Sequence, residues 1–397
     1  MKSSFRKTIA VLAVLSCALL LAACAKKTRQ ASGIMDSPEH HYEVGQRALD
    51  DNNLQQAAEE FQLALELDPG FGPALAGKGL VSVMQGGDFD DGLSLVKNGL
   101  HKADGTQQKL AALTAEIRLY TEGLKRGEVS EYKALTEAKN AYRAGIHSDK
   151  GNLALSYYMG EAYLQALDFE SAEKMFAAVK YSQRMEKAGI RFREKTDARW
   201  ELLQKAKRAA PNSIVGKKIV LVDELSRADM AGLLVEELNV ARFFGRTQTP
   251  EASTFQAPPS NQIVRKADTA PTDTEHHPLK ADIDQVIEFG VQGLQQNPDG
   301  SFTPDMPLTK AEIAMIFQDI ILRATGKDML ATEFIGQKSP FADVRNDQPY
   351  FNAVMVCTTR GLLEADKRSG LFKPGASVPG VDALLYIKEL KAELNPF

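Results

Sequence analysis

Cysteine is nearly absent from this chain: three in 397 residues, at Cys17, Cys24 and Cys357. Two of them fall within the first 24 residues, so a disulfide framework is excluded and the fold must rest on its core. Cys357 closes the apolar run Ala353-Val354-Met355-Val356-Cys357, which reads as packing; a reactive thiol needs a base or cation beside it. Histidine is also scarce, at His40-His41, His101, His147 and His276-His277, and no two stand one helical turn apart in a zinc spacing. Neither a G-x-S-x-G elbow nor a Walker loop occurs. The chain is therefore read as non-catalytic, with no metal and no cofactor; the one catalytic arrangement left open is a carboxylate pair among its many acidic residues. A basic excess is missing too, since the formal charge is -4. That argues against wholesale nucleic-acid binding, which needs a cationic footprint. Only one long apolar run exists, and it lies at the start.

That run, residues 9–21, follows Lys2, Arg6 and Lys7 and ends in Leu21-Ala22-Ala23-Cys24. A charged head, an apolar stretch and a small-residue cleavage site make an export signal, and the stretch is short for a membrane span of roughly 20 residues. The tetrapeptide resembles the lipobox of bacterial lipoproteins. The resemblance implies cleavage between Ala23 and Cys24, acylation of Cys24, a signal over 1–23 and a tether over 24–36. Loss of the three leader cations takes the formal charge from -4 to -7. Two or three acyl chains anchor stably where one would not. Ala25 stands where an inner-membrane retention Asp would, so in a Gram-negative envelope the periplasmic face of the outer membrane is expected.

Residues 37–186 are rich in Ala, Leu, Glu and Gln with helical periodicity. Gly45, Ala57, Phe61, Ala64 and Pro69 recur as Gly160, Tyr163, Ala172 and Phe176, and Ala138 precedes Ala172 by 34 residues. The pattern resembles the tetratricopeptide (TPR) repeat. About four units are expected, with Gly45, Ala57, Phe61, Pro69, Gly160, Ala172 and Phe176 as packing residues. Residues 71–100 look degenerate, because Asp91 and Leu95 are poor matches and only Gly79 fits. Such stacks leave a concave groove suited to a protein partner. Residues 187–210 follow as a basic helix, with Arg191, Arg193, Lys195, Arg199, Lys205, Lys207 and Arg208 on a solvated side and Trp200, Leu203 and Ala206 opposite.

A different pattern fills the second half. Asp299-Gly300-Ser301-Phe302-Thr303-Pro304 makes a tight turn, and Leu308-Thr309-Lys310-Ala311-Glu312 opens a helix with a capping box. Phe341-Ala342-Asp343-Val344, Gly370-Leu371-Phe372-Lys373-Pro374 and Val378-Pro379-Gly380-Val381-Asp382 repeat the order, and Leu225-Ser226-Arg227-Ala228-Asp229 echoes its end. This order resembles the S-layer homology (SLH) repeat. Three copies are the family's usual complement, forming a pseudo-threefold bundle that holds cell-wall glycan through an arginine at each helix start. Carried over by position, the candidate glycan-binding residues are Arg227 with Asp229 and Lys310 with Glu312, while Gly380 has no side chain for the task. The copies are placed at 187–243 (a connecting helix and a degenerate repeat), 267–325 and 340–391. Residues 246–274, rich in Pro, Thr and Ser, read as a flexible insertion, with the linker proper at 244–266.

The expected fold is mainly α: a TPR-like helical-hairpin solenoid, then a predominantly helical SLH-like pseudo-threefold unit. The expected function is that of an envelope lipoprotein tethering a membrane to wall glycan, peptidoglycan or a secondary polymer, and scaffolding a protein partner. The alternative is an accessory lipoprotein of a secretion, pilus or polysaccharide-export machine, its SLH-like part binding protein.

Overall fold

A computed structural model describes residues 29–33, 35–244 and 271–395. Ala23, Cys24, the signal segment and nearly all of the Pro/Thr-rich stretch lie outside the described residues. The fold is mainly helical, with no strand among the described residues. Two compact units divide after Thr196, inside one helix.

The first unit is a set of four helical hairpins stacked in chain order. They are α1 (Pro38–Asp50) with α2 (Leu54–Leu67), α3 (Gly72–Met84) with α4 (Phe89–Lys102), α5 (Gly105–Lys125) with α6 (Glu131–Ser148), and α7 (Leu153–Gln165) with α8 (Phe169–Lys180). Side-chain caps start most of them. Ser37, Asn53, Asp88, Ser130, Asn152 and Asp168 each accept an amide hydrogen of the first turn. Phe61 and Phe176 are fully buried. Glycine makes room for them: a Cβ on Gly45 would come within 2.6 Å of the Phe61 ring, and one on Gly160 within 2.9 Å of Phe176. Ala57 and Ala172 are also fully buried, whereas Pro69 is exposed and follows the end of α2. Burying such a ring stabilises by roughly 1.5–3 kcal/mol.

The second hairpin is regular, but one residue out of step. Its turn holds residues 85–88, where the first and fourth hairpins have 51–53 and 166–168. The small position therefore falls on Gly92 and its large partner on Val96, four residues later, as in Ala57 and Phe61. Asp91, the poor match, is exposed in the first turn. Two glycine pairs bring the α3 and α4 backbones into contact: a Cβ on Gly79 would lie 2.5 Å from the Gly92 carbonyl, and one on Gly72 2.5 Å from that of Gly99. The third hairpin buries Ala138 and Gly145 and half-buries Tyr142. Arg126 bonds the carbonyls of Val83 and Gly87, tying the end of α5 to the turn of the second hairpin.

Among the described residues before α1, Arg29 and Asp36 are tied to the first hairpin. The Arg29 amide donates to the Glu66 carbonyl at 2.8 Å, and its guanidinium holds Asp36 at 2.6 Å. His41 places one ring nitrogen 2.7 Å from Glu60 and the other 2.9 Å from Asp36. Burial opposes its charge, but the two carboxylates outweigh burial and hold its pKa above the usual histidine value.

Helix α9 (Ile190–Ala209) carries the division between units. Leu203 and Ala206 are buried as expected, and Trp200 is half-buried. The basic side is not uniformly solvated, however. Lys195 and Lys205 are half-buried and paired with Asp50 and Asp382.

The second unit adds α10 (Ile214–Ile219), α11 (Arg227–Gly232) running into a π-helical turn (Leu233–Glu237), α12 (Ala241–Phe244), α13 (Lys280–Glu288), α14 (Lys310–Thr325), α15 (Phe351–Thr359) and α16 (Gly380–Leu394). Its core includes Phe302, Phe317, Phe351 and Phe372. Cys357 is fully buried, and burial pushes its thiol up to about 12. The insertion ends earlier than residue 274: Thr274 is fully buried and Asp273 is built into the unit.

Candidate functional site

The second and third copies share a spacing of 70 residues at Asp273/Asp343 and again from Gly300/Gly370 onward, and the same aspartate bonds recur in both. Asp273 accepts the amides of Phe302 and Thr303 at 2.8 and 2.7 Å; Asp343 accepts those of Phe372 and Lys373 at 3.0 and 2.6 Å. Thr303 and Lys373 both adopt left-handed backbone, at φ 55° and 58°. Each pair of carboxylate bonds holds a conformation that side chains disfavour. Gly300 and Gly370 turn the chain at φ 88° and 68°. Asp273 had no place among the candidate residues; its separation of 29 residues from Phe302, the same as Asp343 from Phe372, was the signal that finds it.

The three helix starts interlock in a ring. Arg227 N and Ala228 N, the first amides of α11, donate to the carbonyls of Met306 and Pro304, both at 3.0 Å. Lys310 N and Ala311 N, at the start of α14, donate to Ala376 and Pro374 at 2.9 and 3.0 Å. Gly380 N, at the start of α16, donates to Val222 at 2.8 Å and so returns to the first copy. Leu225 joins both neighbours, accepting from Leu308 N and donating to Val378, each at 2.8 Å. Single bridges between Ser226 and Pro307 and between Thr309 and Ser377 mark the same seams.

The ring changes what these helix starts can do. An α-helix begins with unpaired amides that attract anions. In α11 and α14 the first two go to a neighbouring carbonyl and the third to the capping hydroxyl of Ser226 or Thr309. Asp229 and Glu312 close the capping boxes by accepting the amides of Ser226 and Thr309, at 3.0 and 2.7 Å. These two acids hold the chain, each through one carboxylate oxygen, and Glu312 also favours the Arg227 charge.

Arg227 and Lys310 occupy equivalent places. The Arg227 guanidinium lies 4.6 Å over the Phe302 ring and donates to the carbonyls of Phe302, Gly293 and Gln295 at 2.8, 2.6 and 2.9 Å. The Lys310 ammonium lies 4.5 Å over the Phe372 ring and donates to Glu364 and Phe372 at 2.6 and 3.1 Å. Burial pulls both below their ordinary pKa values. Their exposure differs. Lys310 is 9% exposed and closed in, whereas Arg227 is half-buried and keeps two of its five N–H donors beyond these three bonds. The third position excludes a side chain, since a Cβ on Gly380 would fall 2.0 Å from the Ile219 carbonyl oxygen. Its capping residue, Pro379, makes no side-chain bond, and Asp382 pairs instead with Lys205 at 2.9 Å.

In the first unit the polar residues converge on Asp50, which bonds Tyr158 and pairs with Arg118 and Lys195. Among the described residues no three His, Cys, Asp or Glu side chains are grouped to hold a metal, and no helix is long and apolar enough to cross a membrane. Comparison with protein-family models, curated proteins and solved structures finds no match.

Proposed function

We propose that this chain is a non-catalytic envelope lipoprotein that tethers a membrane to wall glycan and scaffolds a protein partner. Acylated Cys24 would supply the membrane end, the TPR-like hairpin stack the protein-docking surface, and the SLH-like unit the wall-facing end. The observation that supports it most is the ring of three interlocked helix starts, a frame that holds Arg227 half-buried with two N–H donors beyond its three carbonyl bonds. The wall grip is accordingly assigned to the Arg227 seam alone, where a fork of N–H donors suits a sugar carboxylate. Two weak attachments on one chain hold an assembly through effective concentration, not through single-site affinity. On this reading the lipid-free mature chain pellets with purified wall sacculi at low salt and is released by an acidic saccharide but not by a neutral one. A folded chain that stays in the supernatant would refute the wall-binding half.

A second reading is favoured by the same seams. Lys310 is enclosed and Gly380 cannot carry a cation, so two of three equivalent positions present no grip. An accessory lipoprotein of a secretion, pilus or polysaccharide-export machine would use the unit as a protein-assembly block, and capture by sacculi would then fail.

A further inference from the structure

Helices far apart in the chain meet at Asp50, the last residue of α1. Its carboxylate accepts the Tyr158 hydroxyl at 2.7 Å, lies 3.5 Å from Arg118, and lies 3.0 Å from the Lys195 ammonium. Arg118 stacks on the Tyr158 ring at 4.3 Å. Next to it, Asp51 pairs with Arg191 at 2.5 Å. Thus α1 and the turn after it present Asp50 and Asp51, α7 presents Tyr157 and Tyr158, α5 sets the Arg118 cation among them, and the first turns of α9 lie upon this patch, roughly 140 residues on in sequence.

Three side chains carry the ring contacts and ion pairs of this packing, and Thr196 is buried beside them. Phe192 packs on Tyr157 with ring centroids 5.4 Å apart. Lys195 sits within 5.1 Å of the centroids of Tyr157, Tyr158 and Phe192. Arg191 and Lys195, four residues apart, share one helix face and bracket Asp50 and Asp51. Thr196, at the far end of the segment, is fully buried, and the first turn is its more exposed part. Ile190 is 64% exposed, and the Arg191–Asp51 pair is exposed on both sides. Exposed pairs of this kind contribute about 0–1 kcal/mol. The Lys195 charge is opposed by its own burial, which draws its pKa down despite Asp50. The patch is therefore complementary to its occupant, whose exposed first turn is its least fastened part.

We infer that this patch is a docking surface for a helical segment of the pattern Arg-aromatic-x-x-Lys, and that residues 190–196 fill it in cis. The inference deepens the reading of the hairpin stack as a protein-docking array and rests on it. A partner helix with a cation, an adjoining aromatic and a second cation one turn on would displace the α9 start. It would gain the cation–π contacts on Tyr157 and Tyr158 and the pairs to Asp50 and Asp51. An acidic or purely apolar segment would find no complement there.

The test uses a fluorescent peptide of residues 187–200 and the lipid-free mature chain, at low salt. The peptide should bind Arg191→Ala/Lys195→Ala, in which the cis segment is weakened, at least tenfold more tightly than wild type. Adding Asp51→Arg should weaken that binding at least fivefold, and a peptide carrying Arg191→Glu should recover it. Equal binding by wild type and the double variant would overturn the inference, as would no binding by a double variant that keeps its helical circular dichroism. If the double substitution unfolds the first unit, hydrogen exchange on wild type decides. Residues 190–196 exchanging at least tenfold faster than α7 supports a displaceable segment, and equal protection overturns it. Sacculus capture by wild type is unaffected by either outcome, so failure here is distinct from failure of the tether.

Discussion

Arg227→Ala is expected to destabilise the second unit by about 2–4 kcal/mol, a large effect for a half-exposed residue. The substitution leaves three carbonyl acceptors, on Phe302, Gly293 and Gln295, without their cation and strips the charge from the face of Phe302. Bonds to a charged donor contribute roughly 1.5–3 kcal/mol each, and part of that is recovered here because water reaches the seam. Arg227→Lys should retain about half of the stability, since an ammonium keeps the charge but not the fork. Denaturant unfolding followed by Tyr and Trp fluorescence measures both. A loss under about 0.5 kcal/mol for Arg227→Ala would show that the seam does not depend on the guanidinium. This role also warns against reading a loss of glycan binding in Arg227→Ala as loss of contact alone.

Gly380→Ala should be worse, and Gly380→Arg, which would complete the set of cations, worse still. Any Cβ there falls 2.0 Å from the Ile219 carbonyl oxygen and 2.8 Å from its side chain. Both obstacles are close-packed, one of them backbone, so the start of α16 must move and its bond to Val222 is put at risk. Overpacking of a tight site costs about 1–3 kcal/mol, and loss of a ring bond adds to it; about 3 kcal/mol or more is expected for alanine. Limited proteolysis of the second unit would report the opening. A Gly380→Arg chain that stays as stable as wild type and binds wall glycan more tightly would mean that glycine is there for lack of need, not for lack of room.

The helical character of the chain and two capped starts in its second half were legible in the sequence for a local reason. Capping residues, helical periodicity and the Gly–Phe packing at Gly45/Phe61 and Gly160/Phe176 act within one hairpin, where spacing determines contact. The capping boxes at Ser226/Asp229 and Thr309/Glu312 are local in the same sense. The second hairpin was harder, because one extra residue in the turn 85–88 moves the small position from Asp91 to Gly92. The seams were not legible at all. Their acceptors are main-chain carbonyls, which carry no residue signature, and their partners are as distant as Gly380 and Val222. Position alone therefore marked Arg227 and Lys310 as ligand grips while concealing that each is anchored to its neighbour. Lys195 was hidden likewise: on one helix it is another surface cation, and only the fold sets it against Asp50 and three aromatic rings.

The tether is tested most directly by bridging. Labelled liposomes carrying the acylated mature chain are mixed with purified wall sacculi and spun at a speed that pellets sacculi alone. Tethering predicts that lipid label pellets with the wall for the wild-type chain, and that it stays in the supernatant for Cys24→Ala or when an acidic saccharide is added. Lipid label that remains in the supernatant with a folded, acylated wild-type chain would contradict it.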